Sequence, residues 1–150
     1  MPVIDVVSDA NLAVKWFHSE GEEEVTEARA LLSAHRSRRV ALSVLDLTTY
    51  EVGSALLRGG AQASSEQVAI VLDALATICP AVRPTQEEFQ LATELVEEHG
   101  LTIYDAAYAA VAQSRNATLA TLDKALLKAG LGVRPSELVD SAELGEEGQQ

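Results

Sequence analysis

The chain has a single cysteine, Cys79, in 150 residues, so it cannot close an internal disulfide and has no cysteine–histidine cluster to hold zinc. Histidine is nearly as scarce: His18, His35 and His99 lie far apart, without metal-ligand spacing. No apolar run approaches the roughly 18 residues of a membrane span. The start, Met1-Pro2-Val3-Ile4-Asp5, has no basic region before its apolar stretch, which argues against a signal peptide and leaves the cytoplasm as the expected compartment. Positive charge is also short, with 11 Lys and Arg against 23 Asp and Glu and a net charge of −12. A broad, nonspecific grip on nucleic acid needs a basic surface and is therefore excluded. A narrow target or a basic protein partner fits better. Part of the acidic excess is local. The tail from Asp140 to Gln150 carries Asp140, Glu143, Glu146 and Glu147 and no cation, and is expected to be a flexible appendage to a domain spanning residues 1–139.

What is present is a regular alternation of segments. Pro2 to Val7 is β-branched and almost wholly apolar, as a buried central strand would be, and Asp9 follows it. A short helix is expected from Asn11 to Phe17, and Ser19-x-x-Glu22 is a capping box opening a helix to about His35. Val40 to Val44 reads as a strand, and Leu45 to Arg58 as a helix stopped by Gly59-Gly60. Ser64-x-x-Gln67 and Thr85-x-x-Glu88 open two more helices, ending near Ile78 and at Gly100, with a short strand at Pro80 to Arg83 between them. Thr102-x-x-Asp105 leads into an Ala-rich helix to about Ser114. A strand at Ala117 to Thr121, a short helix from Asp123 to Gly130 and a last strand at Leu131 to Arg134 complete the series. Such alternation predicts an α/β fold with a central parallel sheet flanked by helices on both faces. Ligands in these folds bind outside the carboxyl ends of the strands, where Asp9 and Asp123 both fall.

Two further acids stand out by isolation. Asp105 is the only charged residue from Leu101 to Ser114, and its helical neighbours Leu101, Thr102, Tyr108 and Ala109 cannot pair with it. Glu51 is flanked in the same way by Leu47, Thr48, Ser54 and Ala55. Each of the four acids has a plain structural reading. Asp9 and Asp123 suit helix N-caps, Asp105 fits a capping box, and Glu51 fits a solvated helix edge. Taken together they suggest more, because two like charges at 4 Å repel by about 4 kcal/mol at an effective dielectric of about 20. A converging set needs divalent cations, and an all-carboxylate set suits Mg²⁺ or Mn²⁺. Spacing puts Asp9 and Asp123 on one edge; it does not place Glu51 and Asp105.

Four segments carry a resemblance that does place them: Val7-Ser8-Asp9-Ala10-Asn11-Leu12-Ala13-Val14-Lys15-Trp16-Phe17, Tyr50-Glu51-Val52-Gly53-Ser54-Ala55-Leu56, Tyr104-Asp105-Ala106-Ala107-Tyr108-Ala109-Ala110 and Leu119-Ala120-Thr121-Leu122-Asp123. In order and spacing they resemble the PIN-domain family, most of all the VapC-type toxins of VapBC toxin–antitoxin modules. The resemblance implies a PIN-like fold with Asp9, Glu51, Asp105 and Asp123 as catalytic, metal-holding acids, and Asn11 and Thr121 lining the site. It implies a Mg²⁺- or Mn²⁺-dependent endoribonuclease acting on single-stranded or loop RNA, a cognate VapB-type antitoxin and a homodimer, with the helix from Val68 to Ile78 as one candidate pairing surface. Trp16 and Phe17 are open between core packing and the floor of an antitoxin groove. Arg36, Arg38 and Arg39 are open between phosphate contact and a solvated helix end. The chain departs from many relatives in lacking a proline at the start of the Glu51 helix, and Asp123 is followed by Lys124 rather than another acid. A PIN-like module that binds RNA or protein without cutting is the alternative that the net charge favours. An aspartyl phosphatase with Asp9 as nucleophile would leave Glu51 and Asp105 unexplained.

Overall fold

Strand β1 (Ile4–Ser8) occupies the middle of the sheet, as its apolar run requires. It pairs in parallel with β2 (Val40–Leu45) on one side and β4 (Thr118–Ala120) on the other. A two-residue strand, β3 (Ala81–Val82), extends β2, giving the order β3-β2-β1-β4 with every pairing parallel. The computed structural model describes residues 2–18, 23–58 and 63–139. Ser19, Glu22, Gly59 and Gly60, which carry two of the sequence signals above, and the acidic tail lie outside them.

Successive strand residues point to opposite faces, and the two faces bury different helices. Val6, Leu42 and Val44 pack into one core with Leu12 of α1 (Ala10–Val14), Leu31 of α2 (Val25–Arg36), Val52 and Leu56 of α3 (Asp46–Arg58), and Val68 and Leu75 of α4 (Ser65–Ile78). Val7, Leu45 and Leu119 pack into the other with Ala92 and Leu95 of α5 (Gln86–His99), Ala106 to Ala112 of α6 (Ile103–Ser114), and Leu126 of α7 (Lys124–Lys128). The result is the expected parallel sheet with helices on both sides. The seven consecutive buried residues of α6 include five alanines, whose small side chains let the helix lie close to both the sheet and α5.

The capping signals fix several boundaries. Ser64 and Thr85 form complete capping boxes with Gln67 and Glu88. Gly100 closes α5 in the left-handed region, at φ 69°, where glycine carries no Cβ penalty. Three expectations change. Helix α2 begins only at Val25, behind Glu24 at φ 58°. The carboxylate of Glu24 accepts hydrogen bonds from Arg134 Nη1 (3.0 Å) and Ser136 N (2.8 Å), tying the start of α2 to a helix the sequence reading did not contain, α8 (Pro135–Val139). The strand expected at Leu131 to Arg134 reduces to one parallel bridge between Ala120 and Val133. Gly130 turns the chain at φ 74° just before it, and Pro135 starts α8 just after, leaving no length for a ladder. Helix α1 stops at Val14, and Lys15, Trp16 and Phe17 continue it as a tighter turn with bonds to the third residue back.

Candidate active site

The chain leaves β1 at Ser8, and Asp9 becomes the N-cap of α1, its Oδ1 accepting from Leu12 N at 3.0 Å. Its other oxygen accepts from Thr121 Oγ1, at the end of β4. The Thr121 oxygen in turn accepts from Asp123 N at 2.9 Å, which directs the threonine hydrogen onto Asp9. Asp123 caps α7 through Leu126 N, again at 3.0 Å. Neighbouring carboxyl ends of β1 and β4 thus deliver Asp9 and Asp123 to one edge. Asp105 joins from the first turn of α6, half-buried, with its N–H on Thr102 Oγ1 at 3.1 Å. Only that half of the expected capping box forms. Glu51 comes from the middle of α3, half-buried, with Oε1 accepting from the Tyr108 hydroxyl at 2.8 Å.

The electrostatics tie the four together. Burial pushes the Asp9 carboxyl up to about 6, against the pull of its Thr121 and Leu12 hydrogen bonds, and the charges of Asp105 and Asp123 push the same way. Asp105 is also raised, first by burial and then by the charges of Asp123 and Glu51. The Tyr108 phenol is pushed up by burial, with Glu51 and Asp9 adding to it. No cation offsets this: among the described residues none of the four acids has a salt-bridge partner. Nor, among those residues, do three acidic, histidine or cysteine side chains close on a single point. The donors are all carboxylate oxygens that repel one another at a half-buried edge, a set whose chemistry fits a hard divalent cation held partly through water.

The remaining candidates separate. Asn11 is exposed and lines a cleft of about 300 Å³ with Lys15, Ala55 and Leu122 beside the acidic edge. Trp16 belongs to the core, 7% exposed, with Nε1 donating to Ala28 O at 3.0 Å. Phe17 is half-buried and lines a separate cleft of about 250 Å³ with Leu56, Val68 and Val71. Arg36, Arg38 and Arg39 precede β2, which places them at the amino edge of the sheet, away from the acids. Helix α4 turns Val68 and Leu75 into the core and leaves Ile70 as its exposed large apolar side chain. Exposed Tyr50, Phe89, Ile103 and Tyr104 lie elsewhere; three of these last four, Phe89, Ile103 and Tyr104, belong to the α5 and α6 side of the molecule.

Three contributors were missed by sequence reasoning. Thr48 and Tyr108 were given no role beyond being unable to neutralise Glu51 and Asp105, and they stand one helical turn from those acids. Gly132 packs against the site. A Cβ there would meet Thr121 Cγ2 at 2.6 Å and Leu119 O at 3.1 Å, so only glycine lets this segment bridge to β4.

An all-parallel α/β sheet with carboxylates gathered at its carboxyl edge defines a class of acidic-site α/β domains. The sequence profile of the PIN domain matches residues 6–131, a stretch that contains all four acids, and the chain belongs to the PIN domain family. It is 35% identical over 117 residues to Exonuclease VapC9 of Pyrobaculum aerophilum, a span covering 70% of this chain and 84% of that protein. Among solved structures it is similar to VapC20 of Mycobacterium tuberculosis, a sarcin–ricin loop cleaving toxin, with a TM-score of 0.66 and 17% identity over 87% of this chain and 99% of that one. It is also similar to a toxin–antitoxin complex from Klebsiella pneumoniae, with a TM-score of 0.65 and 21% identity over 87% of this chain and 97% of that one. At these identities the structural likeness establishes the fold.

Proposed function

We propose that the chain is the toxin of a type II toxin–antitoxin pair, a Mg²⁺- or Mn²⁺-dependent endoribonuclease that hydrolyses phosphodiester bonds in single-stranded or loop RNA. The observation that carries this reading is Asp9: a 4%-exposed carboxylate that feels Asp105 and Asp123 and, among the described residues, has no cation. A charge so placed needs a counterion that the described protein does not supply. The names of the VapC9 and VapC20 relatives support nuclease chemistry.

Asp9 and Asp105 are assigned as direct ligands. Asp123 offers the oxygen its helix cap leaves free, and Glu51 binds directly, binds through water or orients the attacking water. When bound, the cation supplies Lewis-acid polarisation of the phosphate and a water of lowered pKa. Thr121 holds Asp9 in one rotamer, and Asn11, exposed beside the edge, contacts the substrate. The Phe17 cleft is the proposed seat of a VapB-type antitoxin segment, whose basic character would match the net charge of −12. A homodimer formed over exposed apolar side chains such as Tyr50 and Tyr104, each next to a site acid, would bring two acidic edges together.

The test is incubation of total cellular RNA with antitoxin-free protein and with Asp9→Asn, each with Mg²⁺, Mn²⁺ or EDTA. Discrete internal fragments from the unmodified protein alone, dependent on metal, are the expected result. Trimming from RNA ends would reassign it as an exonuclease, the activity in the VapC9 relative's name. Intact RNA in the presence of folded, Mn²⁺-loaded protein would favour the second reading, a non-cleaving binding module, which the acidic surface supports.

A further inference from the structure

We propose that Thr48 and Tyr108 form a hydroxyl relay that positions Glu51 for cation binding, making both of them positioning residues of the site. The proposal rests on the metal-site reading given above. The relay begins at the last residue of β2, where Leu45 N–H donates to Thr48 Oγ1 at 3.1 Å. That oxygen lies 2.6 Å from the Tyr108 hydroxyl, and the phenol reaches Glu51 Oε1 at 2.8 Å.

The direction of the chain is fixed at the Glu51 end. Tyr108 has one hydrogen and gives it to Glu51, so its oxygen accepts the hydrogen of Thr48. Thr48 is 0% and Tyr108 2% exposed, so water does not compete for either hydroxyl. Thr121 treats Asp9 in the same way: Asp123 N–H fills the threonine oxygen, and its hydrogen is left for the acid. Two acids on neighbouring helices, α1 and α3, are thus oriented by one device. Glu51 has particular need of it. Asp9 and Asp123 are held by the N–H groups of helix starts, whereas Glu51 sits mid-helix with a longer side chain and no free backbone donor.

Burial alone does not require this ending. A buried tyrosine hydroxyl needs a partner, and Thr48 already gives it one. Directing it onto a half-buried carboxylate that lacks an ion pair among the described residues adds a charge to the edge of the core, which a purely structural bond would avoid. The arrangement makes sense if Glu51 must present a defined oxygen to a cation. Removing such an outer partner typically weakens metal binding by about 10–100-fold.

The experiment is Mn²⁺ titration of the full-length, antitoxin-free protein by calorimetry, with thermal unfolding in EDTA run beside it. Tyr108→Phe keeps the ring and loses the donor, and is expected to weaken Mn²⁺ binding about tenfold. Thr48→Val should weaken it several-fold, and Thr48→Ser, which keeps the relay, should restore it to within about twofold. In a Glu51→Gln background Tyr108→Phe should add no further loss. Tyr108→Phe binding Mn²⁺ as well as the unmodified protein, or losing as much in the Glu51→Gln background as in the native one, would overturn the relay alone. Failure of the unmodified protein to bind Mn²⁺ at all would overturn the metal-site reading and the relay with it. If Tyr108→Phe does not fold, the Thr48→Val and Thr48→Ser pair decides the matter in the same way.

Discussion

Two carboxylates of this molecule are equally shut off from solvent contact and behave in opposite ways. Asp9 is 4% exposed and its carboxyl is pushed up to about 6, whereas Glu88 is 3% exposed and is held down at about 2. Glu88 receives Arg115 through Nε at 2.8 Å and Nη2 at 2.9 Å, and takes Thr85 N in the capping box of α5 at 2.9 Å. Asp9 receives a threonine hydroxyl and one backbone N–H, and faces two more negative charges. Burial is the largest effect at Asp9, with two like charges adding to it, whereas at Glu88 the Arg115 hydrogen bonds outweigh it. Around Glu88 the chain completes its own electrostatics. Around Asp9 it stops short, and that incompleteness is what a site for an outside cation looks like.

The largest effect that would break the contrast comes from removing the Asp9 charge. Asp9→Asn should lower RNA cleavage at least a hundredfold, while raising the stability of the metal-free protein at pH 7 by roughly 1–2 kcal/mol, because a penalised charge is gone. Thermal melts in EDTA and a cleavage assay on the same preparation check both halves, and a destabilised variant would sink the account of Asp9.

Next in size is Glu88→Ala, which strands Arg115 and removes one of the two capping-box hydrogen bonds of α5. It should destabilise the fold by about 2 kcal/mol, discounted for a half-exposed arginine, and lower Tm by roughly 4–8 °C. Cleavage at a temperature well below that Tm should persist. The same region sets an acid limb. Glu88 is depressed in the fold, so its stabilisation is complete above its unfolded value of 4.5 and is lost as pH falls toward about 2. Urea unfolding in EDTA between those limits should show the protein losing stability faster than Glu88→Gln does, and parallel curves would refute the assignment.

The smallest change sharpens the comparison from the other side. Gly132→Ala sets a methyl against Thr121 and should cost about 1–2 kcal/mol. Because Thr121 orients Asp9, Mn²⁺ affinity should fall several-fold, a loss that Glu88→Ala does not share.

Much of the scaffold was legible because it follows from short-range chemistry. The capping boxes at Ser64 and Thr85, the glycine stop at Gly100 and the apolar run of β1 each act over a few residues; the caps and the stop stand where the sequence placed them, and β1 begins two residues later, at Ile4. Asp9 and Asp123 were visible at the ends of expected strands, and Glu51 and Asp105 as charges with no local partner. What stayed hidden depends on distant segments meeting. Glu24 opens α2 because it is anchored to Arg134 and Ser136, more than a hundred residues away. Tyr108 reaches Glu51 across two helices, and Thr48 looked like a neutral neighbour because its partner is sixty residues on. Trp16 was undecided between core and groove until Ala28 supplied an acceptor for its indole N–H.

The two N-cap aspartates have a bearing on descent. Asp9 and Asp123 each start a five-residue helix, and replacing a capping residue with alanine costs about 1 kcal/mol. A descendant that abandoned catalysis would still gain from Asp, Asn or Ser at both places, so finding aspartate there speaks of folding as much as of chemistry. Glu51 starts no helix and closes no ion pair among the described residues. If Glu51 serves the proposed cutting, a diverged copy that no longer cuts has little folding reason to keep it, and its replacement would mark a silenced paralogue.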